Sequence, residues 1–155
     1  MELEFKPVVA GDIDRLRPFY GLRPNKTCDS VFLDSFLWKD YYHVQCAVSE
    51  GRAVLWLMEK DGQVSTAMPL CREEDLPYFF QQMVDYFSGV LHKPFYISLA
   101  DEEAVQCLNL DPALFEVEEQ VDLKDYLYSG EELRKLEGKK FVKKRNHRNG
   151  FKRSY

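Results

Sequence analysis

Apolar and polar positions alternate along this chain in two different periods, and each change of period marks a new element. Leu3 to Val9 alternates weakly and predicts a first strand, which Pro7 places at a sheet edge. Asp12 is a helix-capping residue, with Ile13, Leu16 and Tyr20 at helical spacing behind it and Gly21 able to end the run. Asp29 or Ser30 opens a second helix whose apolar positions are Val31, Phe32, Phe36 and Leu37. Trp38, Tyr41 and Tyr42 follow, a cluster dense enough to read as core rather than as a ligand surface. His43 to Ser49 alternates, with Val44, Cys46 and Val48 on one face. Glu50-Gly51 predicts a turn, and the nearly all-apolar run Arg52 to Glu59 predicts a strand covered on both faces. Asp61-Gly62 is a two-residue hairpin signal, and Val64 to Leu70 completes the meander.

The period then lengthens. Leu76, Phe80, Met83, Val84, Phe87 and Leu91 lie on one side of a helix from about Glu73 to Leu91, where Pro77 fits only in the first turn. Phe95 to Ala100 predicts a short strand, and Asp101 caps a helix through Ala104, Val105 and Leu108. Phe115 to Tyr128 predicts a long strand. Its apolar parity is odd at Phe115, Val117, Val121 and Leu123 and even at Tyr126 and Tyr128, which implies a bulge near Lys124-Asp125. Ser129 and Glu132 form a capping box, and Gly138 separates that helix from a final one. The order β-α-α-β-β-β-α-β-α-β-α predicts an α+β fold: a mixed, mostly antiparallel central sheet flanked by helices.

Charge changes the picture at the C-terminal end. From Arg134 to Tyr155 there are ten Lys or Arg and one acid, Glu137, a net of +9. The whole chain is −5, so the preceding residues carry 11 − 25 = −14. An asymmetry of this size points to an anionic partner for the basic stretch, against the alternative of a solvated tail. On a helix, Phe141, Lys144, Arg148, Phe151 and Tyr155 share one face, with His147 one step to the side. The aromatics predict that this face is buried or in contact. Lys144 and Arg148 then either snorkel to its rim or form a phosphate or carboxylate site, Arg148 binding two oxygens at once. Like charges at Lys139–Lys143, Lys140–Lys144 and Lys144–Arg148, together with Gly150, predict a helix that needs tertiary packing to persist.

The 155 residues are 45% hydrophobic and 14% aromatic, which suits a globular domain with a sizeable core. No apolar run approaches the roughly 20 residues of a membrane helix. The opening MELEFKPVV does not read as a signal peptide, so a cytoplasmic location is expected. Cys28, Cys46, Cys71 and Cys107 are widely spaced in or beside apolar segments and read as buried reduced thiols, with no metal and no disulfide.

At this point the chain resembles a known family. Ser35-Phe36-Leu37-Trp38-Lys39-Asp40-Tyr41-Tyr42, Asp125-Tyr126-Leu127-Tyr128, Leu136-Glu137-Gly138-Lys139-Lys140 and, above all, Lys143-Lys144-Arg145-Asn146-His147-Arg148-Asn149-Gly150-Phe151 are similar to the bacterial domain at the C-terminus of phosphatidylglycerol lysyltransferases. The element order is similar to the Gcn5-related N-acetyltransferase-like fold, which that family carries twice in tandem. The resemblance implies that residues 1–138 are the first such domain and that 139–155 are a basic helix leading towards a second. It implies aminoacyl transfer from charged tRNA to a lipid or other acceptor, with no metal and no acetyl-coenzyme A. Lys139, Lys140, Lys143, Lys144, Arg145, His147 and Arg148 are then the candidate substrate-binding residues, for tRNA phosphate or an anionic lipid headgroup.

Two departures from the wider fold family follow. No pair of glycines has the spacing of the loop that cradles a coenzyme pyrophosphate, which disfavours an ordinary acetyltransferase. His43, His92 and His147 lack an evident acid or nucleophile partner, so no catalytic residue is assigned and this half by itself is expected to be inactive. The alternative function is a non-catalytic anion-binding module docking on RNA, anionic lipid or a companion domain. A second acetyltransferase-like domain or a second copy of the chain is the expected protein partner.

Overall fold

A computed structural model describes residues 3–23, 31–98, 100–124 and 127–154. Cys28, the expected cap residues Asp29 and Ser30, the bulge residue Asp125, Tyr126 and Tyr155 lie outside the described residues. The chain divides into two compact units, Met1–Glu119 and Gln120–Tyr155.

The first unit is built on a four-stranded antiparallel sheet in chain order: β1 (Lys6–Pro7), β2 (Gln45–Ser49), β3 (Ala53–Lys60) and β4 (Gln63–Ser65). Pro7 sits on the edge strand, where its missing N–H costs no ladder bond. Both expected turns form. Glu50 and Gly51 have φ of 52° and 66°, and Asp61 and Gly62 have 52° and 80°, the twist that joins adjacent antiparallel strands. The third meander strand is shorter than expected. Met58 faces Ser65 but Val54 faces Leu70, so the register moves on by one residue and the intervening segment bulges. Within it Thr66, 1% exposed, donates its hydroxyl to the Trp56 carbonyl at 2.7 Å. Among the described residues, the expected strand Phe95 to Ala100 forms one parallel bridge, between Thr66 and Ile97.

The all-apolar character of β3 has the expected cause. Its alternate residues feed two cores on opposite faces of the sheet. Ala53 and Leu55 pack with Leu76, Phe79, Met83, Phe87 and Ala104. These come from α3 (Leu76–Tyr86), the wider turn that continues it to Leu91, and α4 (Glu102–Leu108). Val54 and Trp56 pack with Leu16 of α1 (Ile13–Leu16) and Phe32 of α2 (Phe32–Leu37). Each buried large side chain contributes about 1.5–3 kcal/mol. Pro77 lies in the first turn of α3, as its ring demands. Asp101 caps α4, accepting from the Ala104 N–H at 2.9 Å.

Several expectations are corrected. Asp12 stands at the N-cap position of α1 as expected, but its side chain makes no cap hydrogen bond there. Asp12 belongs to a preceding tight turn, and its carboxylate reaches back to the Val9 N–H at 2.9 Å. Phe115 to Tyr128 is not a long strand. Its described residues are irregular apart from one turn, Val121–Leu123, and Val117, Val121, Leu123 and Leu127 are exposed. An alternating pattern becomes a strand only where a neighbour completes the ladder. Cys46 and Cys71 are buried as expected, but Cys107 of α4 is exposed.

In the second unit, Ser129 caps α5 (Gly130–Lys135), accepting from the Glu132 N–H at 3.4 Å. The Glu132 carboxylate does not complete the capping box; it pairs with the Lys140 amine at 2.8 Å. Leu136 and Gly138, at φ of 54° and 81°, turn the chain into α6 (Val142–Ser154) through a tight turn, Lys139–Phe141.

Candidate anion-binding helix

Helix α6 carries Lys143, Lys144, Arg145, His147, Arg148, Lys152 and Arg153 and no acid. The residues from Gln120 onward hold eleven cations and five acids, 11 − 5 = +6, so residues 1–119 carry −5 − 6 = −11. The candidate residues divide by what each already does. Arg145 is half-buried and donates to the backbone carbonyls of Leu136 and of Gly138, the latter at 2.8 Å. It satisfies the carbonyls left open where α5 ends, a positioning task. Lys140 is held by Glu132. The Lys144 amine stands 5.5 Å from the centre of the Tyr128 ring, a cation–π contact that leaves its charge available. Lys139, Lys143, His147 and Arg148 are exposed.

The aromatic face is only partly as expected. Phe141 is buried at 3%, whereas Phe151 is 67% exposed. Lys144 and Arg148 therefore do not sit within a buried face; they project into water, where neither needs a partner carboxylate. The periodicity correctly marks a face, and exposure decides that most of it is open.

Two features escape a reading by local pattern. Trp38, Tyr41 and Tyr42, expected in the core, are exposed. Arg23 and Asp101, 78 residues apart, form a buried two-point ion pair at 3.0 and 3.1 Å. Neither has a signal in local sequence: the aromatics carry the same spacing whether covered or not, and the pair is joined only by the fold.

Among the described residues no group of three or more His, Cys, Asp or Glu is placed to hold a metal ion. His92 contacts the Ser88 carbonyl through Nδ1 at 3.1 Å. Burial pushes the Cys71 thiol up to about 11 and that of Cys46 above its ordinary value, the latter opposed by Arg15 at 3.7 Å. Both disfavour the nucleophilic thiolate.

Comparison with known proteins bears on the whole arrangement. A family model described as phosphatidylglycerol lysyltransferase, C-terminal, matches residues 21–155. None of the curated proteins matches. A crystal structure of a conserved protein of unknown function from Bacteroides thetaiotaomicron superposes with a TM-score of 0.81 at 24% identity, over 99% of this chain and 51% of that one. The likeness extends to the fold, and the present chain spans about half the length of that protein. No helix among the described residues is long and apolar enough to cross a membrane.

Proposed function

The chain belongs to the phosphatidylglycerol lysyltransferase C-terminal family, and on that premise we propose that it is part of a transferase moving an aminoacyl group from charged tRNA to a lipid or other acceptor, on a Gcn5-related N-acetyltransferase-like fold. The observation that carries the reading is the acid-free, exposed basic surface of α6 and the turn before it, formed by Lys139, Lys143, Lys144 and Arg148. A row of solvated cations suits the phosphates of a folded RNA, which attract by charge and release counterions without reading sequence.

The chemistry asks little of the protein beyond placement. The acceptor hydroxyl attacks the ester carbonyl of the aminoacyl group, and a new carbon–oxygen bond forms. The bond to the tRNA ribose breaks, and the hydroxyl proton passes to the ribose oxygen. An ester is already activated, so holding donor and acceptor together supplies much of the acceleration. Arg145 positions the helix by tying its first turns to the end of α5.

A second reading is a non-catalytic anion-binding module. It is favoured by the same exposed cations, which hold phosphate by charge alone. The two readings part on turnover. The chain and its Lys139→Ala/Lys143→Ala/Lys144→Ala/Arg148→Ala variant are titrated with tRNA at several salt concentrations, and charged tRNA is assayed for transfer to phosphatidylglycerol vesicles. Four phosphate contacts give a slope of about −3 in log affinity against log salt, lost in the variant. Unchanged binding in the variant removes the tRNA reading. Salt-dependent binding without transfer, in the chain and in any longer natural form, selects the non-catalytic module.

A further inference from the structure

The acidic unit carries an aromatic surface with no role in the reading above. Trp38, Tyr41 and Tyr42 follow α2, with ring centroids 5.8 Å apart for Trp38–Tyr41, 5.9 Å for Trp38–Tyr42 and 4.7 Å for Tyr41–Tyr42. They are 49%, 53% and 37% exposed. The turn that bears them is built rather than loose. The Tyr41 and Tyr42 N–H groups both donate to the Trp38 carbonyl, Val44 N–H donates to the Lys39 carbonyl at 2.9 Å, and Glu59 N–H donates to the Tyr42 carbonyl at 2.8 Å, tying the turn to β3. The Lys60 amine stands 3.3 Å from the centre of the Tyr41 ring, so one ring face already holds a cation. Trp and Tyr presented on a rigid scaffold are the residues that dominate protein–protein binding energy.

Asp40 and Asp61, with side chains 90% and 89% exposed, stand at the rim of this surface beside Lys39 and Lys60, at 2.6 and 3.9 Å. They lie in a unit of net charge −11, which repels nucleic acid and anionic membranes and attracts a basic partner. A partner of that chemistry is encoded in the same chain. Lys144, Arg148 and Phe151 lie at i, i+4 and i+7 on one row of α6, Phe151 is 67% exposed, and no acid interrupts the helix.

We infer that the Trp38–Tyr41–Tyr42 surface docks helix α6 of a second copy of this chain. In a two-fold dimer each copy gives one aromatic surface and receives one helix, so the complementary contact is made twice. Arg148 can place its guanidinium over an open ring face while Phe151 adds apolar area. Lys139 and Lys143 lie off that row. The inference does not depend on tRNA.

Two measurements test it on the full chain. Light scattering coupled to size exclusion gives the oligomeric state across a dilution series. Trp38 emission reports the surface directly, because the chain has two tryptophans and Trp56 is buried at 3%. The expected result is a dimer whose formation shields Trp38 from acrylamide, and Trp38→Ala weakens it about 30-fold. Because Trp38→Ala can also disturb the turn, two surface charge reversals stand beside it. Asp40→Lys/Asp61→Lys and Lys144→Glu/Arg148→Glu are each expected to weaken the dimer, and mixing the two variants is expected to restore a heterodimer. A chain that stays monomeric at its solubility limit overturns the inference. So does a dimer that none of these variants weakens, or reversed charges that fail to rescue one another. Quenching of Trp38 in a monomer by single-stranded RNA overturns it in favour of a nucleic-acid surface.

Discussion

Removing the carboxylate of Asp101 is expected to be among the most costly single changes in the first unit. Its two oxygens accept from both terminal nitrogens of Arg23, at 3.0 and 3.1 Å, and Oδ1 also accepts from the Ala104 N–H at 2.9 Å, capping α4. The two side chains are only 7% and 8% exposed, so water cannot replace the pairing. In Asp101→Asn the amide oxygen can keep the cap. The loss is then the charge, and a buried guanidinium without its counter-ion costs about 3–5 kcal/mol. Asp101→Ala removes the cap as well, adding about 1 kcal/mol. The sum is about 4–6 kcal/mol, set against roughly 5–15 kcal/mol for a whole domain. Asp101→Ala therefore brings the unit close to its unfolding threshold. Nε of Arg23 is buried with no acceptor among the described residues, so there the native pair is incompletely satisfied. Arg23→Met combined with Asp101→Asn removes both charges and the orphaned donor, and is expected to return close to native stability. Urea titration followed by the emission of buried Trp56 measures all three, with the midpoint moving and the slope unchanged. A cost below about 1 kcal/mol for Asp101→Asn would mean that the guanidinium is hydrated, and the burial argument would fail. A double variant no better than Asp101→Asn would show that the cost is not electrostatic.

Three further outcomes are expected. At mild pH a thiol reagent labels exposed Cys107 in the native protein but reaches Cys46 and Cys71 only on unfolding; a labelled Cys71 in folded chains, read by peptide mass spectrometry, would contradict its burial. Alkaline stability follows from Tyr20, whose phenol burial pushes up to about 12 from 10.0, opposed by the hydrogen bond to Ser35. The folded state holds that proton longer than the unfolded state does, so stability is full below pH 10.0 and falls as pH rises towards about 12. Cys71, raised from 9.0 to about 11, acts in the same sense, and Tyr20→Phe flattens the fall in urea midpoint; a midpoint that holds steady above pH 10.0 would refute both. Gly62→Ala, at φ 80°, is expected to lose about 1 kcal/mol, while Gly89→Ala, exposed and free of neighbours within 4 Å, is expected to gain about 0.5–1 kcal/mol; equal effects by urea titration would mean that backbone handedness is not what selects Gly62.

What was legible in the sequence was everything whose cause is local. Asp61-Gly62 makes its hairpin because two adjacent residues must take positive φ. Pro77 sits in a first helical turn because its ring forbids any later one, and Asp101 caps because an acceptor is needed three residues before the Ala104 N–H. The unbroken apolar run of β3 required cover on both faces, and two cores provide it. The basic row of α6 was equally plain, since a charge excess is a property of composition. Tertiary structure alone decided which apolar faces are covered. Periodicity marks a face but does not say whether anything rests on it, so Trp38 and Tyr41 read as core and lie exposed, Phe151 reads as buried or in contact and is 67% exposed, and the alternating stretch after Phe115 reads as a strand but forms no strand ladder among the described residues. The same holds for what a charge does. Arg148 and Arg145 look alike in sequence, yet the fold leaves one in water and turns the other onto the carbonyls at the end of α5. Arg23 and Asp101 show no sign of each other along the chain; a pairing across 78 residues exists only once the packing of the first unit has excluded water from both.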